Sequence, residues 1–175
     1  EHLVRTGHPG KAEDGLMLGS YKVVYEMREH PGVSILIPNC DHVPDLKKCV
    51  ESIINKSTYR HYEIIIIEKN SKEKETFAYY EELKRRDNIR VVEWSGGMFN
   101  YASVNNYGAK IAKHDVLLYL NNDMEVINPD WLERMVEHVV RSQIGAVGAK
   151  LYFPDGSIQH AGVIVGVKGG AHHAH

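Results

Sequence analysis

Glu63-Ile64-Ile65-Ile66-Ile67 is the stretch that decides the fold, and it stops at Glu68-Lys69-Asn70-Ser71. Four consecutive isoleucines leave no polar face for water. A strand built from them must be covered on both sides, as the central strand of a parallel sheet is. The abrupt change to Glu-Lys-Asn-Ser marks the carboxyl end of that strand, where open α/β sheets bind ligands.

The same unit recurs on both sides. Upstream, Val33-Ser34-Ile35-Leu36-Ile37 is a short β-rich run expected to halt at Pro38, which cannot donate to a ladder. Leu46, Cys49, Val50, Ile53 and Ile54 then recur at helical spacing, with Pro44 and Asp45 suited to the first turn. Downstream, Phe77, Tyr80, Leu83 and Tyr79 predict the buried face of a charged helix, residues 89–94 a strand, 102–113 a helix, and 116–120 a fourth strand. Strands alternating with helices imply a three-layer α/β/α sandwich with a mainly parallel sheet. After Asp123 the pattern shifts. Asn128-Pro129-Asp130 predicts a helix with Asn128 as cap and Pro129 in its first position, and Trp131, Leu132, Met135, Val136 and Val139 supply its stripe. Pro154-Asp155-Gly156-Ser157 then predicts a late antiparallel hairpin between residues 146–152 and 158–167.

The 175 residues fit one domain, and 43% apolar content suffices for a core. The expected division is a partly ordered lead-in, residues 1–32, and a domain over 33–175. Lys plus Arg number 21 against 23 Asp plus Glu, a net charge of −2, so no basic field exists to collect nucleic acid. No run has membrane-spanning length, and no signal-peptide pattern is present, so the expected location is the cytosol. Cys40 and Cys49 read as thiols. Residues 1–7 read as the last turns of a helix closing on Gly7, and the far end stops soon after a strand and Gly169-Gly170. The chain is therefore expected to be a piece of a longer polypeptide, incomplete at its C-terminal side.

Three polar strand ends face one crevice in such a sheet: Pro38-Asn39-Cys40-Asp41, Glu68-Lys69-Asn70-Ser71 and Asn121-Asn122-Asp123. Read alone, Asn-Asn-Asp is also an ordinary turn. Asp123 can give a hard cation carboxylate oxygens, and a divalent metal there would neutralise a nucleotide's phosphates. No GxGxxG or GxxxxGK loop follows the first strand, which disfavours dinucleotide oxidoreductases and P-loop enzymes.

Residues 33–38, 62–71, Asn105-Asn106-Tyr107-Gly108-Ala109 and 118–123 resemble, in order and spacing, the family 2 glycosyltransferases of GT-A fold. Residues 147–152 with 154–162 resemble the branch that builds bacterial rhamnan and O-antigen type polysaccharides. The resemblance implies a nucleotide-diphosphate-sugar donor, a divalent metal (Mn2+ or Mg2+) on its diphosphate, and transfer to a glycan or lipid-linked acceptor with inversion, near the inner face of the membrane. Carried over by position, Pro38, Asn39, Asp41, Glu68, Asn70, Asn105 and Asn122 would contact the donor, with Glu68 against the base and Asp123 on the metal.

Two departures from the family pattern stand out. Asn121 replaces the usual first aspartate of the metal motif, and Lys69-Asn70 stands where Asp-Gly is more frequent. The family's general base is expected beyond His175, because Asp155 reads as a turn residue. A non-catalytic module that binds a nucleotide sugar or glycan is the alternative reading. His172, His173 and His175 read as a tag, a tail or a metal contribution. His160 reads as structural, and His42 and His61 as loop residues.

Overall fold

The computed structural model describes residues 1–15, 17–167 and 170–173. Its elements in chain order are α1 His2–Arg5, β1 Gly10–Asp14, β2 Tyr21–Tyr25, β3 Val33–Asn39, α2 Val43–Lys56, β4 Tyr62–Glu68, α3 Lys74–Leu83, β5 Ile89–Glu93, α4 Tyr101–Ile111, β6 Val116–Tyr119, α5 Trp131–Val139, β7 Leu151–Tyr152, β8 Ile158–His160, β9 Val163–Val167 and β10 Gly170–His173. The chain divides into two compact units, residues 28–133 and residues 1–27 with 134–175.

The 28–133 unit is built on a four-stranded parallel sheet in the order β5-β4-β3-β6. Ile64, Ile65, Ile66 and Ile67 are all fully buried in β4, as are Ile35, Leu36 and Ile37 in β3 beside it. The isoleucine run therefore makes the central strand that its composition demands. From α2, Leu46, Cys49, Val50 and Ile53 supply the buried stripe. Helix α4 comes very close to the sheet at Gly108, where a Cβ would lie 2.5 Å from Ile67 Cδ1 and 3.2 Å from Leu36 Cδ1. Leu36, Ile65 and Ile67 of the sheet and Val104 of α4 form one buried apolar cluster.

Three details differ from the sequence reading. Strand β3 runs through Pro38 to Asn39, with Pro38 in register with Ile67. In a parallel ladder alternate residues bond to opposite neighbours. Leu36 O accepts from Leu120 on the β6 side, and Asn39 O accepts from Lys69 on the β4 side. The missing N–H of Pro38 thus faces the side where β6 has already ended at Tyr119, so no ladder bond is lost. On α3, Phe77 is 48% exposed, and Thr76, Tyr79, Tyr80 and Leu83 form the buried face. Helix α5 begins at Trp131 rather than Pro129. The Pro129 carbonyl accepts from both the N–H and the hydroxyl of Thr58, each at 3.0 Å, which holds the segment before Trp131 in a turn.

In the other unit, α1 ends on Gly7 at φ +69, with Gly7 N bonded to Val4 O and His8 N to Leu3 O. This Schellman pattern is the glycine-closed helix end read from the sequence. Residues 10–14 and 21–25 pair as an antiparallel ribbon, and the Arg141 guanidinium lies 4.1 Å from the Tyr25 ring centroid. The predicted late hairpin is present in short form as β7 with β8. Asp155 turns it, accepting from Ser157 N at 2.9 Å and Ser157 Oγ at 2.6 Å. Gly162 at φ +126 then breaks the expected continuous strand, and β9 pairs separately with β10. Lys168, Gly169 and His175 lie outside the described residues, and for His172 and His173 only the backbone is described.

Candidate functional site

The strand order β5-β4-β3-β6 reverses direction between β3 and β6, and the crevice outside their carboxyl ends is where doubly wound sheets take ligands. Asn39 ends β3, Glu68 ends β4 directly opposite it, and Asn121-Asn122-Asp123 follows β6. Asn122 Nδ2 donates to Asn39 Oδ1 at 2.7 Å, joining the two strand ends across the switch point. The sheet thus brings together the three polar strand ends that the sequence placed separately.

Asn39, only 4% exposed, also donates from Nδ2 to the Tyr80 hydroxyl at 2.8 Å and to the Asp41 carbonyl at 3.1 Å. Tyr80 in turn donates to Glu68 Oε2. Glu68 is 7% exposed and accepts from Ser71 N on Oε1 and from Ser71 Oγ on Oε2, both at 2.6 Å. These donors are all neutral, with no cation in direct contact among the described residues. Burial, and then the bond to Glu68, push the Tyr80 hydroxyl far above the ordinary phenol range, so it remains a donor.

Asp41 is placed beside this cluster, but its carboxylate faces helix α3. It accepts from Lys72 N at 2.9 Å, Glu73 N at 2.9 Å and Thr76 Oγ1 at 3.2 Å. The bond from Glu73 N–H, helped by Lys72 and Thr76, holds the Asp41 carboxyl below its usual range. Its own N–H donates to Ser71 Oγ at 2.8 Å, so the first loop and the second interlock. The non-glycine residues with positive φ among those described are Asp41, His42 and Asn70, at +54, +54 and +61. All belong to these two loops, and all are types that tolerate the left-handed region.

Asp123 is exposed, and among the described residues its carboxylate has no hydrogen-bond or ion-pair partner. Of its neighbours, Asn122 is committed to Asn39, and Asn121 Oδ1 accepts from Tyr101 OH at 3.1 Å. No group of three His, Cys, Asp or Glu suited to a metal occurs among the described residues. The donor set is therefore one free carboxylate. That fits a Mg2+- or Mn2+-type cation that completes its shell with water and ligand phosphates, and it would not fit an all-protein cage. Beneath this turn, Cys49 Sγ donates to Asn121 O at 3.7 Å. Burial pushes the Cys49 thiol up to about 12, with the Asp123 charge adding to the effect against a Met124 N–H bond. Both cysteines are free thiols, as read.

Asn105 lies one turn before Gly108 on α4 and is 5% exposed. Its Nδ2 donates to Tyr101 O at 3.0 Å, while its Oδ1 is buried without a partner among the described residues. Pro38 is half-buried at the end of β3.

The family model for glycosyl transferase family 2 matches residues 34–162, a span that contains every one of these strand ends. The chain belongs to glycosyl transferase family 2. It is 40% identical over 173 residues to the O-antigen biosynthesis protein RfbC of Myxococcus xanthus, a match that covers 99% of this chain and 13% of that protein's length. The mannosyltransferase PcManGT of Pyrobaculum calidifontis, solved in complex with GDP-Man and Mn2+, is similar in structure with a TM-score of 0.63 at 17% identity, over 73% of this chain and 37% of that one. Staphylococcus aureus TarS 1-349 in complex with UDP gives a TM-score of 0.51 at 17% identity, over 62% of this chain and 32% of that one. The GT-A-like fold follows. No helix among the described residues is long and apolar enough to cross a membrane.

Part of the cluster around Glu68 carries no signal in the sequence. The helical spacing places Tyr80 on the buried face of α3 but not its hydroxyl, which, once buried, needs a hydrogen-bond partner. Ser71 enters the sequence reading only as a member of the polar strand end 68–71, with no contact of its own assigned. Lys69, by contrast, turns away from Glu68: its Nζ donates to Gly96 O at 2.7 Å and lies 4.8 Å from the Trp94 ring centroid. No sequence signal pointed to that lysine–tryptophan contact.

Proposed function

We propose that this chain is the donor-binding part of a metal-dependent glycosyltransferase that moves a sugar from a nucleotide-diphosphate-sugar to a glycan or lipid-linked acceptor in bacterial rhamnan or O-antigen type polysaccharide synthesis. The observation that carries the reading is the switch point, where Asn122 bridges to Asn39 and leaves the adjacent Asp123 carboxylate exposed and unpartnered. PcManGT, similar in fold, holds GDP-Man and Mn2+, which supports a nucleotide-sugar donor and a metal for this chain.

In this reading Glu68 accepts from the base, with Asn39, Pro38 and the Asp41 and Asn70 loops bordering the nucleoside. Asn105 offers its unpaired Oδ1 to a donor hydroxyl, and Asp123 with the Asn122 turn would hold Mg2+ or Mn2+. Such a cation, when bound, neutralises the diphosphate and so stabilises the charge of the departing nucleotide. The chain's own residues bind and orient the donor. Transfer with inversion also needs a base for the acceptor hydroxyl. We assign that base, and the acceptor site, to a region corresponding to the part of the longer relatives that this chain does not match, working at the inner membrane face.

Titration calorimetry with UDP, dTDP and GDP, each with and without Mn2+, tests the reading. Manganese-dependent binding of at least one nucleotide is expected. No binding of any, by folded protein with Mn2+ present, would overturn it.

A further inference from the structure

The acceptor positions of Glu68 can be counted. A carboxylate offers about four lone-pair positions, two on each oxygen. Oε2 receives both Ser71 Oγ and Tyr80 OH, and Oε1 receives Ser71 N. One acceptor position is left, on Oε1. Tyr80 holds its share firmly, because the residue is only 3% exposed and its hydroxyl is itself oriented by the 2.8 Å bond from Asn39 Nδ2.

The nucleobases differ in what they would ask of such a group. Uracil and thymine carry one ring N–H between two carbonyls. Guanine sets its ring N–H beside an exocyclic amine, so a carboxylate meets it with both oxygens in a paired contact. Cytosine and adenine bring an amine next to a bare ring nitrogen, which would face a carboxylate lone pair. Only the single imide donor matches one open position without displacing a protein donor.

We propose that Tyr80 is a specificity-determining positioning residue, which by occupying Glu68 Oε2 restricts the site to uracil and thymine nucleotides and rejects guanine. This rests on the placement of the base at Glu68 in the function proposed above. Tyr80 acts through Glu68 and touches no ligand itself.

The test is calorimetry in saturating Mn2+ with UDP, dTDP, GDP and inorganic pyrophosphate on the wild-type chain, Tyr80→Phe and Ser71→Ala. The wild type should bind UDP and dTDP at least about tenfold more tightly than GDP, the scale expected when a competitor leaves buried polar groups mispaired. Each substitution frees a position on Oε2, so each should shrink that preference about tenfold, with pyrophosphate affinity unchanged. A general structural weakening would lower all four affinities together and leave the ratio fixed. Should Tyr80→Phe fail to fold, Ser71→Ala carries the same expectation. Equal or tighter GDP binding by the wild type overturns the proposal, and so does an unchanged UDP-to-GDP ratio in the folded variants. Pyrophosphate binding without any nucleotide binding overturns the base placement at Glu68. Silence to all four ligands overturns the donor-binding function itself.

Discussion

Strand β4 carries a buried glutamate at each end, and the two are treated in opposite ways. Glu63, 3% exposed at the amino end, accepts from Ser34 Oγ at 2.7 Å and Lys113 N at 2.7 Å and pairs with the Arg90 guanidinium at 3.0 Å. Glu68, 7% exposed at the carboxyl end, is held by a serine and a tyrosine alone. Where the charge is cancelled by a fixed cation, the group is a fastening for the sheet. Where it is held by neutral donors, its field remains available to a ligand.

The largest effect that could break this contrast is on stability. Glu63→Ala should cost about 2–4 kcal/mol, somewhat under the usual loss for a broken buried pair because the Arg90 side chain is a third exposed and water screens it. Urea unfolding would measure it. Glu68→Ala, which strands only neutral donors, should cost about 1–3 kcal/mol in the same experiment while weakening nucleotide binding about 10- to 100-fold. A Glu68→Ala chain as destabilised as Glu63→Ala, with unchanged nucleotide affinity, would erase the distinction.

Acid titration sharpens it. Burial opposes the Glu63 charge, but the Lys113 N–H, the Ser34 hydroxyl and Arg90 together hold its carboxyl below the usual range. With the folded pKa depressed, the Glu63 contribution is fully present above the unfolded value of about 4.3 and is lost as pH falls through the folded pKa. Glu63→Gln should therefore flatten the stability-against-pH curve on the acid side of that value and leave its slope near neutrality alone. The smallest effect concerns Glu125, exposed between Lys48 at 2.8 Å and Lys56 at 2.9 Å, whose hydrogen bonds hold its carboxyl down at about 2. Glu125→Gln should barely move the melting temperature, since exposed ion pairs are screened.

The sheet was legible because its strands announce themselves by composition. An Ile64–Ile67 run has one home in an α/β fold, and each strand's change from apolar to polar marks its carboxyl end. The grouping of Asn39, Glu68 and Asn122 followed from that logic. What each polar side chain does at the edge did not follow. Asp41 caps the start of α3, a segment some thirty residues downstream, through bonds to Lys72 and Glu73 that no local pattern encodes. Phe77, expected on the buried face of α3, is exposed, and Thr76 lies on that face with Tyr80, whose hydroxyl reaches Glu68. The division between Glu133 and Arg134 has no signal in the sequence, since it falls inside α5, whose apolar stripe is unbroken.

The central claim is that Glu68 and Asp123 serve opposite ends of one donor, and the manganese enhancement of nucleotide affinity measures it most directly. UDP affinity would be determined with and without Mn2+ for the wild type, Glu68→Ala and Asp123→Ala. The account predicts a large enhancement in the wild type, a similar factor on a weaker baseline in Glu68→Ala, and a factor near one in Asp123→Ala. An undiminished manganese enhancement in Asp123→Ala would contradict it.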